Sequence, residues 1–171
     1  MTLAFIRTLL LSLVVVSLFN SCSKEISVEQ LHADSTLTKA MDAAQRGEVD
    51  QARELLSQAY SLDRLLGRIP QMAEEQVLLA ENAFATADFD TAIEHYAVAT
   101  DHFKSLADRG SARTMVLKTA AIYRYAGDER KAHAMYTEAL RLANVFHDAA
   151  GANEIRWEMV PSCRALDDRE E

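Results

Sequence analysis

The sequence is poor in residues that break helices or turn the chain. Only two prolines and five glycines occur among its 171 residues. Because sheet folds need a turn residue at roughly every tenth position, this scarcity excludes an all-β architecture. Hydrophobic residues make up 49% of the chain, which argues against disorder and is enough to build a core. Alanine, leucine and glutamate, all good helix formers, are abundant, so we expect an all-α fold.

Positive charge is scarce as well. The chain has 18 lysines and arginines against 26 aspartates and glutamates, a formal net charge of -8. An acidic protein of this kind repels phosphate backbones and anionic head groups. We therefore expect no nucleic-acid partner.

An apolar run near the N-terminus falls short of spanning a membrane. It extends from Leu9 to Phe19, after the basic residue Arg7. A spanning helix needs about 20 apolar residues, whereas the hydrophobic part of a cleaved signal has about a dozen. We interpret residues 1–21 as a signal peptide.

The junction after this run, Leu18-Phe19-Asn20-Ser21-Cys22, resembles the lipobox of bacterial lipoproteins. The resemblance implies export, cleavage before Cys22 and attachment of a diacylglyceryl group to its thiol. Several acyl chains hold a protein on a membrane, because each buried methylene contributes about 0.8 kcal/mol. Ser23, a residue other than aspartate, is typical of enterobacterial lipoproteins of the outer membrane, so we expect its periplasmic face. The alternatives are an ordinary secretory signal with an accidental cysteine, and an uncleaved anchor.

Cysteine is otherwise nearly absent. Cys163 is the second of only two cysteines and lies far from Cys22. With Cys22 lipidated, Cys163 has no partner within the chain, and we interpret it as a structural bystander. An intermolecular disulfide in an oxidising envelope is the alternative.

The chain repeats itself at intervals of 40 residues. Segments 47–52, 87–92 and 127–132 align without gaps. The same interval links alanines in three columns, 40/80/120, 52/92/132 and 59/99/139, and larger residues in the column 56/96/136. Small alanines on facing helices let the helix axes approach to about 8–10 Å. The pattern predicts antiparallel helix pairs that pack along alanine columns.

Glycine and proline divide the chain at the boundaries that the repeat predicts. These residues are Gly47, Gly67, Pro70, Gly110, Gly127, Gly151 and Pro161. Acidic residues, Glu48, Asp88 and Asp128, precede the second helix of each pair, where they oppose the helix macrodipole. We predict helices at about 28–46, 49–66, 71–86, 89–108, 112–126 and 129–148, and a last helix at about 152–160 that Pro161 ends.

The segment 87–99, Ala-Asp-Phe-Asp-Thr-Ala-Ile-Glu-His-Tyr-Ala-Val-Ala, resembles the second half of a tetratricopeptide repeat (TPR). The resemblance covers about residues 31–160 and implies a right-handed α-solenoid of about three hairpins, at 31–66, 71–108 and 112–148, with a capping helix at 152–160. The period exceeds the usual 34 by six residues, which adds under one turn to each helix. Residues 22–30 are then a linker, and residues 161–171 an acidic, frayed tail.

In TPR proteins the first helices of the pairs line a concave groove that binds protein segments. The resemblance assigns this role to Asp34, Leu37, Met41, Gln45, Glu74, Val77, Glu81, Phe84, Thr114, Leu117, Arg124 and Tyr125, with Trp157 closing one end. Apolar anchors mixed with carboxylates suit a segment with basic flanks, and Arg124 is the only cation in this set. The alternatives are that individual apolar residues belong to the core and that Trp157 caps the stack.

Sequence motifs of catalysis are missing. His95 and His102 are about 10.5 Å apart along one helix, too far to share an ion held by bonds of about 2 Å. The sequence has no His-Glu-x-x-His, Gly-x-Ser-x-Gly, Cys-x-x-Cys or glycine-rich phosphate loop. We expect neither an enzyme nor a bound metal or cofactor.

Two functional hypotheses follow from these patterns. The first is a membrane-tethered adaptor that gathers other proteins of the bacterial cell envelope through its groove. The second is a self-associating structural envelope protein, because a short stack of repeats leaves apolar ends that another copy can cover.

Overall fold

A computed structural model describes residues 26–145 and 148–167 and shows seven helices and no strand in these ranges. The helices are α1 (Val28–Gln45), α2 (Val49–Leu66), α3 (Ile69–Ala85), α4 (Phe89–Ser105), α5 (Arg109–Tyr125), α6 (Glu129–Val145) and α7 (Ala149–Asp167). The predicted all-α fold is confirmed. Each helix packs mainly on the helices before and after it in the chain, the arrangement of a helical solenoid.

A residue in the left-handed conformation follows each of the first five helices. Three of these residues are glycines with positive φ, Gly47, Gly67 and Gly127, and two are alanines, Ala87 at φ 60 and Ala107 at φ 57. At the first of these turns the amide of Gly47 donates to the carbonyl of Ala44 and that of Glu48 to Ala43, which satisfies carbonyls left free at the helix end. Turns this short make successive helices antiparallel.

Aspartates begin most of the later helices. Asp88 accepts a hydrogen bond from the amide of Thr91, Asp108 from Ser111, and Asp128 from Lys131. The expected acidic residues at the start of α4 and α6 are therefore capping groups. Glu48 makes no such bond and pairs instead with Arg46 at 2.8 Å.

The alanine columns form the seams between helices. All nine alanines of the three columns are fully buried. Leu56, Tyr96 and Tyr136 are buried in three successive core clusters, each between neighbouring hairpins. The core is thus a series of small clusters along the stack.

The last helix is longer than predicted. α7 runs through Pro161 to Asp167, so the prediction that it ends at residue 160 and that a frayed tail begins at 161 is wrong. Proline leaves one helical carbonyl without a partner, and here Pro161 and Trp157 both face solvent, where water can satisfy that group. Ile155 is buried in the last core cluster and Met159 packs against it, and these contacts hold the helix in place. Gly110 and Gly151 were predicted to mark helix boundaries, and they lie inside the first turns of α5 and α7.

The predicted signal peptide, Cys22 and residues 23–25 of the predicted linker lie outside the described residues, as do residues 168–171. Among the helices that the structure describes, none has the length and apolar character needed to cross a membrane.

Candidate functional site

The first helices of the second and third hairpins, α3 and α5, run side by side in the same direction and line a groove. Glu81 of α3 and Lys118 of α5 meet across it in an ion pair of 2.6 Å, which fixes the register of the two helices. Residues spaced by three or four along each helix share one face, so Glu74, Val77, Glu81 and Phe84 form a continuous stripe.

One cavity, of about 390 Å³, occupies the end of this groove near the N-termini of α3 and α5; we call it the lower cavity. It is lined by Leu37, Met41, Glu74, Val77, Leu78, Phe103, Ser111, Thr114 and Met115. Its lining is apolar apart from two hydroxyls and the carboxylate of Glu74. Glu74 makes no ion pair within the described residues.

A second cavity, of about 610 Å³, occupies the opposite end of the groove; we call it the upper cavity. It is lined by Glu81, Phe84, Tyr96, Lys118, Ala121, Ile122, Arg124 and Tyr125. Together the two cavities extend the groove over most of the length of α5.

An aromatic row borders the upper cavity. The rings of Phe84 and Phe89 are 5.6 Å apart, and those of Phe89 and Tyr125 are 5.3 Å apart in an edge-to-face arrangement. Phe84 is 45% and Tyr125 75% exposed, unusual for such large apolar groups. Packed, exposed aromatic rings are typical anchor points for a protein ligand.

The electrostatics of the upper cavity depend on Lys118. Burial opposes its charge, but the hydrogen bond to Glu81 and the electrostatic interactions with Tyr96 and Glu81 together outweigh burial, so the pKa of Lys118 is raised. Its ammonium also lies 5.6 Å from the centre of the Tyr96 ring. The charges of Glu81 and Lys118 neutralise each other. The guanidinium of Arg124 is exposed and has no ion-pair partner in the described part of the chain. The cavity therefore carries one net positive charge.

Most residues predicted for the groove lie in it. Leu37, Met41, Glu74, Val77 and Thr114 line the lower cavity, and Glu81, Phe84, Arg124 and Tyr125 line the upper one. The structure places four others elsewhere. Leu117 packs against the core between α5, α6 and α7, and Asp34 pairs with Arg68. Gln45 is exposed at the end of α1 and lines neither cavity, and Trp157 is 78% exposed on α7, apart from both cavities.

Sequence reasoning missed Lys118. The expectation that Arg124 is the only cation of the groove is wrong, and the carboxylate of Glu81 is therefore not free to attract a basic ligand. The 40-residue interval places Leu117, not Lys118, in the column of Val77. The helical spacing from Thr114 to Lys118 was the signal that could have found it.

A charged cluster joins the first two hairpins away from the groove. Arg68, in the turn between α2 and α3, donates to Asp63 at 2.6 Å and to Asp34 of α1 at 2.7 Å. Asp63 and its neighbour Glu75 of α3 are both buried. Burial and a hydrogen bond with Asp63 raise the pKa of Glu75 to about 8.

Three histidines and Cys163 have side-chain partners within the fold. His95 is hydrogen-bonded to Gln76 at 2.7 Å, and His102 contacts the hydroxyl of Tyr60 at 3.4 Å. Cys163 is a free thiol whose sulfur is 3.7 Å from Nδ1 of His133. Within residues 26–145 and 148–167, no group of three or more His, Cys, Asp or Glu side chains is arranged to hold a metal ion.

Solved structures of helical repeats are similar to this fold. The TPR-like repeats of a Podosopora anserina kinesin light chain match with a TM-score of 0.65 and 17% identity, over 91% of this chain and 76% of that one. BtubC from P. vanneervenii matches with a TM-score of 0.60 and 16% identity, over 91% and 72%. Aspartyl phosphate phosphatase F from Bacillus subtilis matches with a TM-score of 0.67 and 10% identity; 85% of this chain corresponds to 38% of that protein's length.

Sequence comparison gives the family. No curated protein matches the chain. The family model described as "SNAP: Soluble NSF attachment protein, SNAP" matches residues 18–145, about three quarters of the sequence. The chain therefore belongs to the soluble NSF attachment protein (SNAP) family, with helical repeats of the TPR type.

Proposed function

We propose that this protein is an adaptor that binds segments of other proteins in the groove between α3 and α5, and that it does not catalyse a reaction. The observation that carries the proposal is the exposed aromatic row beside the upper cavity. Burying exposed rings yields about 25 cal/mol for each Å² removed from water, so a ligand that covers Phe84 and Tyr125 gains affinity from both. TPR-like repeats in the similar structures are consistent with such a role.

Cross-linking in intact cells followed by mass spectrometry tests this proposal. We expect Phe84→Ala combined with Tyr125→Ala to remove most cross-linked partners, because both substitutions delete exposed groove surface and leave the core intact. Val98→Ala, at another exposed apolar residue, is the matched control and should retain them. An unchanged set of partners in the double variant would contradict a groove-dependent adaptor.

We further propose that the adaptor is exported and held on a membrane of the bacterial envelope by lipid on Cys22. The apolar run from Leu9 to Phe19 and the Ser21-Cys22 junction support this assignment. Cys22→Ala should abolish incorporation of labelled palmitate and shift the protein out of its membrane fraction. Cys22→Ser, which keeps nearly the same side-chain shape, carries the same expectation. Palmitate labelling that persists in both variants would exclude lipidation at this residue.

Ser23 supports placement at the periplasmic face of an outer membrane. Separation of inner and outer membranes by density, with detection of the full chain, tests that placement. Recovery in the inner membrane alone would contradict it and leave the adaptor proposal unaffected.

A second candidate function is self-association as a structural element of the envelope. Exposed apolar side chains at the start of α1 and the end of α2 favour it, namely Val28 (79% exposed), Leu31 and Leu65. Light scattering separates the two candidates. A stable oligomer that Leu31→Ser and Leu65→Ser dissociate, together with no groove-dependent partner, would favour self-association.

A further inference from the structure

Two charges of opposite sign lie at opposite ends of the groove. Glu74 lines the lower cavity and Arg124 the upper cavity, and both side chains are exposed. Neither makes an ion pair within the described residues. Glu81 and Lys118, which lie between these two charges along the groove, neutralise each other. The lower end of the groove is therefore negative and the upper end positive.

The register of the helices sets the distance between these charges. Glu74 precedes Glu81 by seven residues, and Arg124 follows Lys118 by six. Because Glu81 and Lys118 are in contact, the two free charges are offset by about 13 residues of helix, or about 20 Å along the groove.

The apolar groups between the charges have the spacing of a helix. Val77 in the lower cavity and Phe84 in the upper one are seven residues apart, about 10.5 Å along α3. A helical ligand places its residues i and i+7 at the same separation, on one face. An extended ligand advances about 3.3 Å per residue and has no side-chain period that matches this distance as closely.

We propose that the groove accepts an amphipathic helix of bipolar charge, with a basic residue over Glu74, an acidic residue over Arg124 and apolar anchors in the two cavities. This inference rests on the proposed adaptor function and specifies the chemistry of its partner. A uniformly basic helix is attracted by Glu74 but repelled by Arg124, and a uniformly acidic helix is attracted by Arg124 but repelled by Glu74. For each of them the repulsion at one end offsets the binding free energy gained at the other.

The effect of each charge is modest because both side chains are exposed. Exposed ion pairs change an equilibrium by about threefold to fivefold and weaken as salt increases. Selection for bipolar charge is therefore strongest at low ionic strength.

Three synthetic helical peptides with one common apolar face test the proposal on the full chain in detergent. One carries lysine and glutamate about 13 residues apart, one carries lysine at both positions, and one carries glutamate at both. Fluorescence anisotropy at low salt measures their dissociation constants. We expect the bipolar peptide to bind about threefold to fivefold more tightly than either uniform peptide.

Charge reversal in the protein should change this preference. Glu74→Lys should make the uniformly acidic peptide the tightest ligand, and Arg124→Glu the uniformly basic one. Glu94→Lys, an exposed reversal on α4 outside both cavities, is the matched control and should keep the bipolar preference. Circular dichroism verifies that each variant retains its helices.

Equal binding of the three peptides, binding of none, or a preference that the reversals leave unchanged would overturn the proposal. These outcomes are distinct from failure of the adaptor function. If partners captured in cells still depend on Phe84 and Tyr125 while the peptides bind alike, the adaptor stands and the bipolar ligand does not.

Discussion

At the scale of single residues, Glu75 is the group whose ionisation the fold opposes most clearly. Its side chain is fully buried, and neither carboxyl oxygen has a hydrogen-bond donor among the described residues. Arg68, the nearby cation, is already shared by Asp63 and Asp34. With its pKa raised to about 8, first by burial and then by the proximity of Asp63, Glu75 keeps its proton at neutral pH.

This protonation makes stability depend on pH. The unfolded chain releases the Glu75 proton near the ordinary glutamate pKa of 4.5, and the folded chain only near 8. The contribution of neutral Glu75 to the free energy of unfolding is therefore complete below pH 4.5, falls as the pH rises from 4.5 to 8, and is lost above pH 8. Glu75→Gln removes the titration, so we expect the variant to exceed the wild type at pH 8 by on the order of 2 kcal/mol in free energy of unfolding.

Urea unfolding at pH 5 and pH 8 measures this difference. Glu54→Gln is the matched control, because Glu54 is an exposed carboxylate of α2 and is not among the groups that shift the pKa of Glu75. The difference in free energy of unfolding between wild type and Glu75→Gln should widen with pH, and the difference between wild type and Glu54→Gln should not. A constant gap for Glu75→Gln would show that Glu75 ionises in the fold as it does in water.

The groove and the buried cluster differ in how far the sequence could reveal them. Stripe residues such as Val77 and Phe84 were predictable, because helical spacing and the 40-residue interval assign them to one face. Glu75 and Lys118 were not, because their roles depend on partners 12 and 37 residues away in the chain. Charge alone predicts solvent exposure, which the packing of the helices reverses for Glu75, and it gives no sign of the ion pair that Lys118 makes with Glu81.

At the scale of the helical element, the alanine seams set how closely α3 and α4 approach. Ala80 of α3 and Ala92 of α4 belong to one core cluster, and both are fully buried. A side chain any larger than methyl at either position has no space unless the helix axes separate.

Ala92→Leu should accordingly destabilise the protein by about 1–3 kcal/mol, although leucine is as hydrophobic as the core requires. Ala97→Leu is the control on the same helix, since Ala97 is exposed, and should change stability by less than about 0.5 kcal/mol. Thermal unfolding followed by circular dichroism compares the two. Equal melting temperatures would mean that the seam can widen without cost.

Element boundaries were predictable where glycine or aspartate marks them and less so elsewhere. Gly47 and Gly127 gave the ends of α1 and α5, and the 40-residue interval extended that assignment to Ala87. The prediction from Pro161 was wrong, because the lost hydrogen bond and the steric clash with the carbonyl of Trp157 weaken a helix without always ending it. Burial of Ile155 and packing of Met159 against the last core cluster favour a helix that continues past this position.

At the scale of the whole molecule, a stack in which each helix packs mainly on its neighbours has only short-range coupling. Ile155 of α7 is almost fully buried against Tyr136, Leu142 and Val116 in the last core cluster. The groove between α3 and α5 is built largely from the preceding clusters. Damage to the C-terminal end should therefore spread inward only over the adjacent hairpin.

Ile155→Ala tests this locality. Removing a buried isoleucine costs about 2–5 kcal/mol, enough to open α7 in a stack whose helices are stabilised by their neighbours. Hydrogen exchange followed by mass spectrometry should show faster exchange in α6 and α7 and unchanged exchange in α1 to α3. Trp157→Ala, at the exposed tryptophan of the same helix, should leave all helices unchanged. Faster exchange throughout the chain would instead reveal a single cooperative unit, and then a ligand in the groove would stabilise α7 as strongly as it stabilises α3.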